Sequence, residues 1–216
     1  MKSFQPKDGS GPPPGPGRSG ERDVHGQKRS NETHASTTDP DARLYRKADG
    51  QTSRLFYLGH VIMENRNGLA VEATLTHATG TAEREARRGE ATLVMLGRLK
   101  RKPDITLGAD KDHDVTDFVG DPRARVVTPH IAVNGTVSKR GVVRKTAVDA
   151  ANRSSDGYAI SQRCRKRMEE IFGWIKEAAG FASVKVRGKP KVDATVTLAA
   201  ACNLIRIPKL LTRQAT

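Results

Sequence analysis

The sequence predicts an α/β protein: a mixed sheet with helices packed against it. Three stretches point there. Residues 53–65 and 69–78 are rich in Leu, Val, Ile, Phe, Tyr and Thr, and Arg66, Asn67 and Gly68 join them. Residues 105–109, ITLGA, read as a short buried strand running into Asp110. Residues 162–179 hold no Pro and only one Gly, and their apolar residues recur at helical spacing.

In chain order, the first expected hairpin is residues 53–78, because Asn-Gly between two β-rich runs favours a turn with positive φ. A helix is expected from Thr81, whose hydroxyl suits an N-cap. Glu83 and Glu85 in its first turn complement the helix dipole, and Gly89 and Gly97 weaken the helix. After ITLGA, residues 114–120 suggest a short helix stopped by Gly120 and Pro122. Residues 124–133 suggest another strand, with Pro129 placing it at an edge and His130 reading as structural. A polar, basic connector spans residues 134–157. The helix of residues 157–180 comes next, with Met168, Ile171, Phe172, Ile175 and Ala179 as its buried stripe. A basic loop at 185–193 leads to an apolar helix at 192–211 that covers the sheet, with Cys202 as a small core residue.

Residues 1–50 differ in composition. They hold a Pro/Gly/Ser-rich run, and their low apolar content cannot offset the entropy cost of ordering, so they are expected to be largely disordered. Residues 51–216 form the expected domain. His25, His34, Asp39 and Asp41 lie in the polar segment, where such residues are far more often solvated than metal-bound.

A formal net charge of +14, a pI near 10.2 and a mean hydropathy of −0.60 argue for a polyanionic partner, nucleic acid first, because cations that neutralise phosphates release counterions. A ribosomal-type or chromatin-type protein carries similar charge. Cys164 and Cys202 lack metal-ligand spacing and suggest reduced thiols in a cytoplasmic protein. No run of eighteen apolar residues and no signal core points to a membrane. No nucleophile-elbow motif supports a Ser/His/Asp hydrolase.

On a helix turning about 100° per residue, Arg165, Glu169 and Lys176 fall within roughly 40° of one another, beside the apolar stripe. On spacing alone this is an ordinary amphipathic helix with i,i+4 charge pairs. The words RCRKRMEEIFGWIK go further. The spacing Arg, three residues, Glu, six residues, Lys resembles the last catalytic helix of DDE transposases from bacterial insertion sequences, the insertion-sequence-five group in particular. LGADK resembles the words around that family's second catalytic carboxylate. The N-terminal segment, through QKRSNETHASTTDPDARLYRK, resembles an insertion that comes after the family's first catalytic strand.

The resemblance implies a ribonuclease-H-like fold and metal-dependent DNA cleavage and strand transfer. By it, Asp110 and Glu169 are catalytic and bind Mg²⁺ or Mn²⁺, and Arg165 and Lys176 contact DNA phosphates. Arg163, Lys166 and Arg167 add to the basic run, and Lys139, Arg140, Arg144 and Lys145 suit the same partner. The family's usual Tyr three residues before the Arg is replaced by Gln162, with Tyr158 four residues earlier. Asp112 and His113 stand where Gly and Tyr are usual.

The order hairpin, helix, strand, helix, strand, helix is that of the ribonuclease-H-like fold without its opening central strand, which carries the first Asp of the triad. The chain is expected to lack that strand and that Asp, leaving two halves of a sheet unbridged. The two-metal centre is then complete only if the first Asp is supplied. The expected function is a truncated transposase with impaired or no cleavage. The alternative is a nonenzymatic DNA-binding remnant that inhibits a full-length relative. The expected partner is DNA, element terminal repeats and target; a homodimer is left open, and the setting is cytoplasmic, on the nucleoid.

Overall fold

The computed structural model describes residues 3–10, 29–46, 50–78, 81–99, 105–113, 127–135, 137, 141 and 145–214. The Pro/Gly run, the helix expected at 114–120 and most of the basic cluster at 139–144 lie outside the described residues, and so does the Thr81 cap, since side chains before Gly89 in that helix are not described.

The strands are β1 (Phe4–Pro6), β2 (His34–Ser36), β3 (Arg43–Tyr45), β4 (Arg54–Glu64), β5 (Leu69–His77), β6 (Ile105–Ala109) and β7 (Val127–Ile131). The helices are α1 (Thr81–Arg98), α2 (Ala150–Arg153), α3 (Asp156–Cys164), α4 (Met168–Lys176), α5 (Lys189–Ala201) and α6 (Ile207–Gln214). β3, β4 and β5 form an antiparallel sheet in that order, β6 and β7 a separate parallel pair, and β1 and β2 a small antiparallel pair. The mixed α/β class is therefore present, with the sheet in pieces among the described residues.

The β4–β5 hairpin forms where the sequence placed it. The Glu64 carboxylate accepts the backbone N–H groups of Arg66 and Asn67, and Gly68 takes φ 70°, a left-handed conformation that glycine enters without steric penalty. On β5, Ala73 and Leu75 are buried two residues apart, as the two-residue period of a half-covered strand requires, while Val71, of the same parity, is exposed where the ladder shifts register and leaves it without a β4 partner. Two apolar clusters cover that face: Ala73 with Ile171, Ile175, Ala199 and Ala200, and Leu75 with Val192 and Val196. α4 and α5 therefore pack on the hairpin. The parallel pair has its own core, in which Leu107, Ala109, Val127, Ile131 and Val148 meet Leu96 from α1 and Tyr158 from α3.

The long helix expected at 157–180 is corrected in two respects. It starts where expected, Ser155 capping α3 by accepting the Tyr158 N–H. It tightens to a 3-10 turn at Arg165–Arg167 before α4 resumes. Phe172, assigned to the buried stripe, is 42% exposed, because it stands about 100° around α4 from Ile171, at the margin of the face that Ile171 and Ile175 bury. The C-terminal helix is likewise interrupted by a 3-10 turn at Cys202–Arg206, and Cys202 is only half-buried. The run Lys189–Thr212 is long and apolar enough, by length and composition, to cross a membrane; here its Val192, Val196, Ala199 and Ala200 face lies in the cores on β5.

Residues 1–50 contain more built structure than their composition suggests. Phe4 and Ala42 are buried, and His34 stacks on Phe4. Polar side chains do the rest. Asn31 brackets Leu44, donating to its carbonyl at 2.9 Å and accepting its N–H at 2.7 Å. Asp39 accepts the Tyr57 hydroxyl at 2.8 Å and the Gly188 N–H at 3.2 Å, and Asp41 accepts the Lys189 N–H at 2.9 Å. Two carboxylates from one loop thus cap the N-terminal end of α5, where free N–H groups and the helix dipole favour negative charge. Burial, then the bond to Asp39, raises the Tyr57 phenol above its ordinary pKa.

Asn203, 1% exposed, accepts the Ala70 N–H at 3.0 Å and so ties the C-terminal 3-10 turn to β5. Asn203→Ala leaves that N–H without its side-chain acceptor and opens a small void. We expect a loss of about 1–3 kcal/mol in chemical denaturation, with the slope against denaturant unchanged.

Candidate functional site

β6 ends at Ala109, and the chain turns at once into a 3-10 turn, Lys111–His113. Asp110 sits at that junction with its side chain 63% exposed. Its Oδ1 accepts the Lys111 N–H at 2.7 Å and one N–H of Arg165 at 3.1 Å. The first contact fixes the carboxylate on its own backbone. The second joins two residues that are 55 positions apart in sequence.

Arg165 reaches Asp110 because α3 is held on β7 by a set of polar contacts. Three consecutive β7 carbonyls accept side-chain donors: Pro129 from Asn152 at 2.6 Å, His130 from Gln162 at 2.9 Å and Ile131 from the Tyr158 hydroxyl at 2.8 Å. His130 and Ser161, 4% and 7% exposed, share a 2.7 Å hydrogen bond, and the Tyr158 ring meets the imidazole edge-on. Gln162 and Tyr158, which depart from the family pattern, thus serve as supports for the helix. His130 is structural, as expected from the sequence; its pairing with Ser161 carries no sequence signal, since the two are 31 positions apart.

The 3-10 turn that ends α3 directs its cations in different directions. Arg165 goes to Asp110 at the end of β6. Arg167 donates to the carbonyls of Asn65 and Arg66 in the β4–β5 turn, the latter at 2.6 Å. Arg163 and Lys166 are exposed, as are Glu169 in the first turn of α4 and Lys176 in its last. The structure therefore brings Asp110 and Arg165 together and spends Arg167 on the hairpin turn. It leaves Arg163, Lys166 and Lys176 to solvent. Among the described residues no group of three His, Cys, Asp or Glu side chains is placed to hold a metal ion. The described residues do not supply the three-carboxylate donor set that the resemblance implies.

Residues 131–208 match the family model of the transposase DDE domain. The match supports a DDE transposase family. It spans less than half of the chain, includes the basic run, Glu169 and Lys176, and stops short of Asp110. No curated protein and no solved structure matches the chain. Within the family, DNA is the general partner and divalent metal the usual cofactor; the matched segment here carries the cations and one of the two expected carboxylates.

Burial holds the His130 imidazole below its ordinary pKa. The folded protein therefore binds fewer protons at this site than the unfolded chain. The contribution to stability is full above the ordinary value of about 6.5 and is lost as pH falls from there toward the lower folded pKa. Denaturation at a series of pH values should show stability declining below about pH 6.5. His130→Gln should flatten that part of the profile while lowering stability at neutral pH.

Proposed function

We propose that this chain is a DNA-binding protein of the transposase lineage in which DNA cleavage is impaired or absent. The observation that carries the reading is the family match over a segment whose Arg163, Lys166 and Lys176 are exposed on consecutive helical elements. With a net charge of +14, such a rim attracts duplex phosphates and gains affinity by releasing counterions. The words RCRKRMEEIFGWIK favour the insertion-sequence-five-like group, element ends and target as the DNA, and the cytoplasm, on the nucleoid, as the setting.

Impaired cleavage is supported by two features. Asp110 is engaged by an arginine, and no third ligand is grouped with it among the described residues. Among the described residues the antiparallel sheet and the parallel pair are also unjoined, as they would be without a central strand between β4 and β6. A strand placed there and ending in Asp would complete both the sheet and the triad. The Arg165–Asp110 pair also favours the second reading, a nonenzymatic binder that competes with a full-length relative for the same DNA ends, because the arginine engages the carboxylate.

Fluorescence anisotropy with a short duplex is expected to show binding whose logarithm falls linearly with the logarithm of salt concentration. Lys176→Ala and Lys166→Ala should each reduce that slope by about 0.9 and weaken binding at all sequences alike. Nicking of element-end DNA with Mg²⁺ that disappears in Glu169→Ala would overturn the impaired-cleavage reading. Absence of duplex binding at low salt would overturn the DNA-binding reading itself.

A further inference from the structure

We propose that Asp110 acts as an internal phosphate mimic that holds Arg165 in reserve, so that the carboxylate expected to promote chemistry instead restrains DNA binding. The inference rests on the DNA-binding reading above. A guanidinium presents a planar fork of N–H donors that suits the paired oxygens of carboxylate and phosphate alike. In this chain one N–H of that fork is already engaged. Arg165 donates to Asp110 Oδ1 at 3.1 Å, and that oxygen is itself pinned by the Lys111 N–H at 2.7 Å.

Both partners are open to solvent: the Arg165 side chain is 35% exposed and the Asp110 side chain 63%. A phosphate drawn to the neighbouring exposed Arg163 and Lys166 therefore competes with the Asp110 carboxylate for the same guanidinium. To take a phosphate with its full fork, the arginine must first leave the carboxylate. Arg167 is tied to the hairpin turn and cannot replace it without giving up Asn65 and Arg66. A surface ion pair is weak, so the restraint is modest and phosphate can displace it.

The test compares Asp110→Asn with Glu177→Gln, an exposed acid at the end of α4 whose neutralisation raises the net charge equally. Duplex affinity is read by anisotropy on the full chain from about 50 to 200 mM salt. Asp110→Asn is expected to tighten binding by up to about fivefold beyond the control and to steepen the salt slope by about 0.9, one added phosphate contact. Arg165→Gln breaks the same ion pair from the other side and is expected to weaken binding. Loss of one contact then gives opposite signs, which misfolding cannot produce. In an Arg165→Gln background, Asp110→Asn should gain no more than the control does. If Asp110→Asn weakens binding, or matches Glu177→Gln in affinity and slope, the inference fails while the DNA-binding reading stands. If the unmodified chain binds no duplex, both fall.

Discussion

The seating of α3 on β7 is the constraint on which the site depends. A β-strand carrying Pro129 cannot donate at that position, and carbonyls left bare at its side would cost free energy if buried. Asn152, Tyr158 and Gln162 supply the missing donors, and the buried His130–Ser161 bond adds a further tie between strand and helix. Each hydrogen bond contributes only about 1 kcal/mol net, yet together they set the height and rotation of α3 on its strand. Because Arg165 stands at the end of that helix, its meeting with Asp110 is a result of this placement.

The 3-10 turn at Arg165–Arg167 gives the two halves of the molecule a shared element. The parallel pair and the antiparallel sheet have separate apolar cores and no strand-to-strand hydrogen bonds between them among the described residues. Arg165 touches the first half and Arg167 the second. A stretch of sequence that looks like pure electrostatic attraction for nucleic acid is thus partly consumed in holding the protein together. Charge runs read from sequence overstate the cations available to a ligand for this reason.

Period and turn chemistry made the hairpin, β6, β7 and α1 legible, since Asn67-Gly68, the ITLGA run and the alternation of β5 each encode a local preference. The chemistry of the site was legible only through the words around Glu169 and Asp110. Contact at long range was not disclosed by the sequence: that Arg165 would find Asp110, that Ser161 would meet His130, that the covered face of α4 would centre on Ile171 and Ile175 and leave Phe172 at its margin. None of these has a local pattern. The N-terminal segment was misjudged for a different reason. Hydropathy counts apolar surface, whereas residues 29–46 are built largely on side-chain to backbone hydrogen bonds, as at Asn31, that leave no trace in an apolar count.

The capping of α5 by Asp39 and Asp41 has a consequence for the order in which the protein assembles. The acceptor loop leaves the ribosome early, while the helix start it caps lies 149 and 148 residues later. A contact of such sequence separation closes a loop of just over two thirds of the 216 residues, and closing it is entropically costly and late. Until α5 emerges, the two carboxylates have no helix end to hold and Leu75 on the inner face of β5 lacks the cover of Val192 and Val196. The hairpin, though first to form locally, therefore keeps part of its apolar side open to water until that helix follows, and completion of this layer waits on α5.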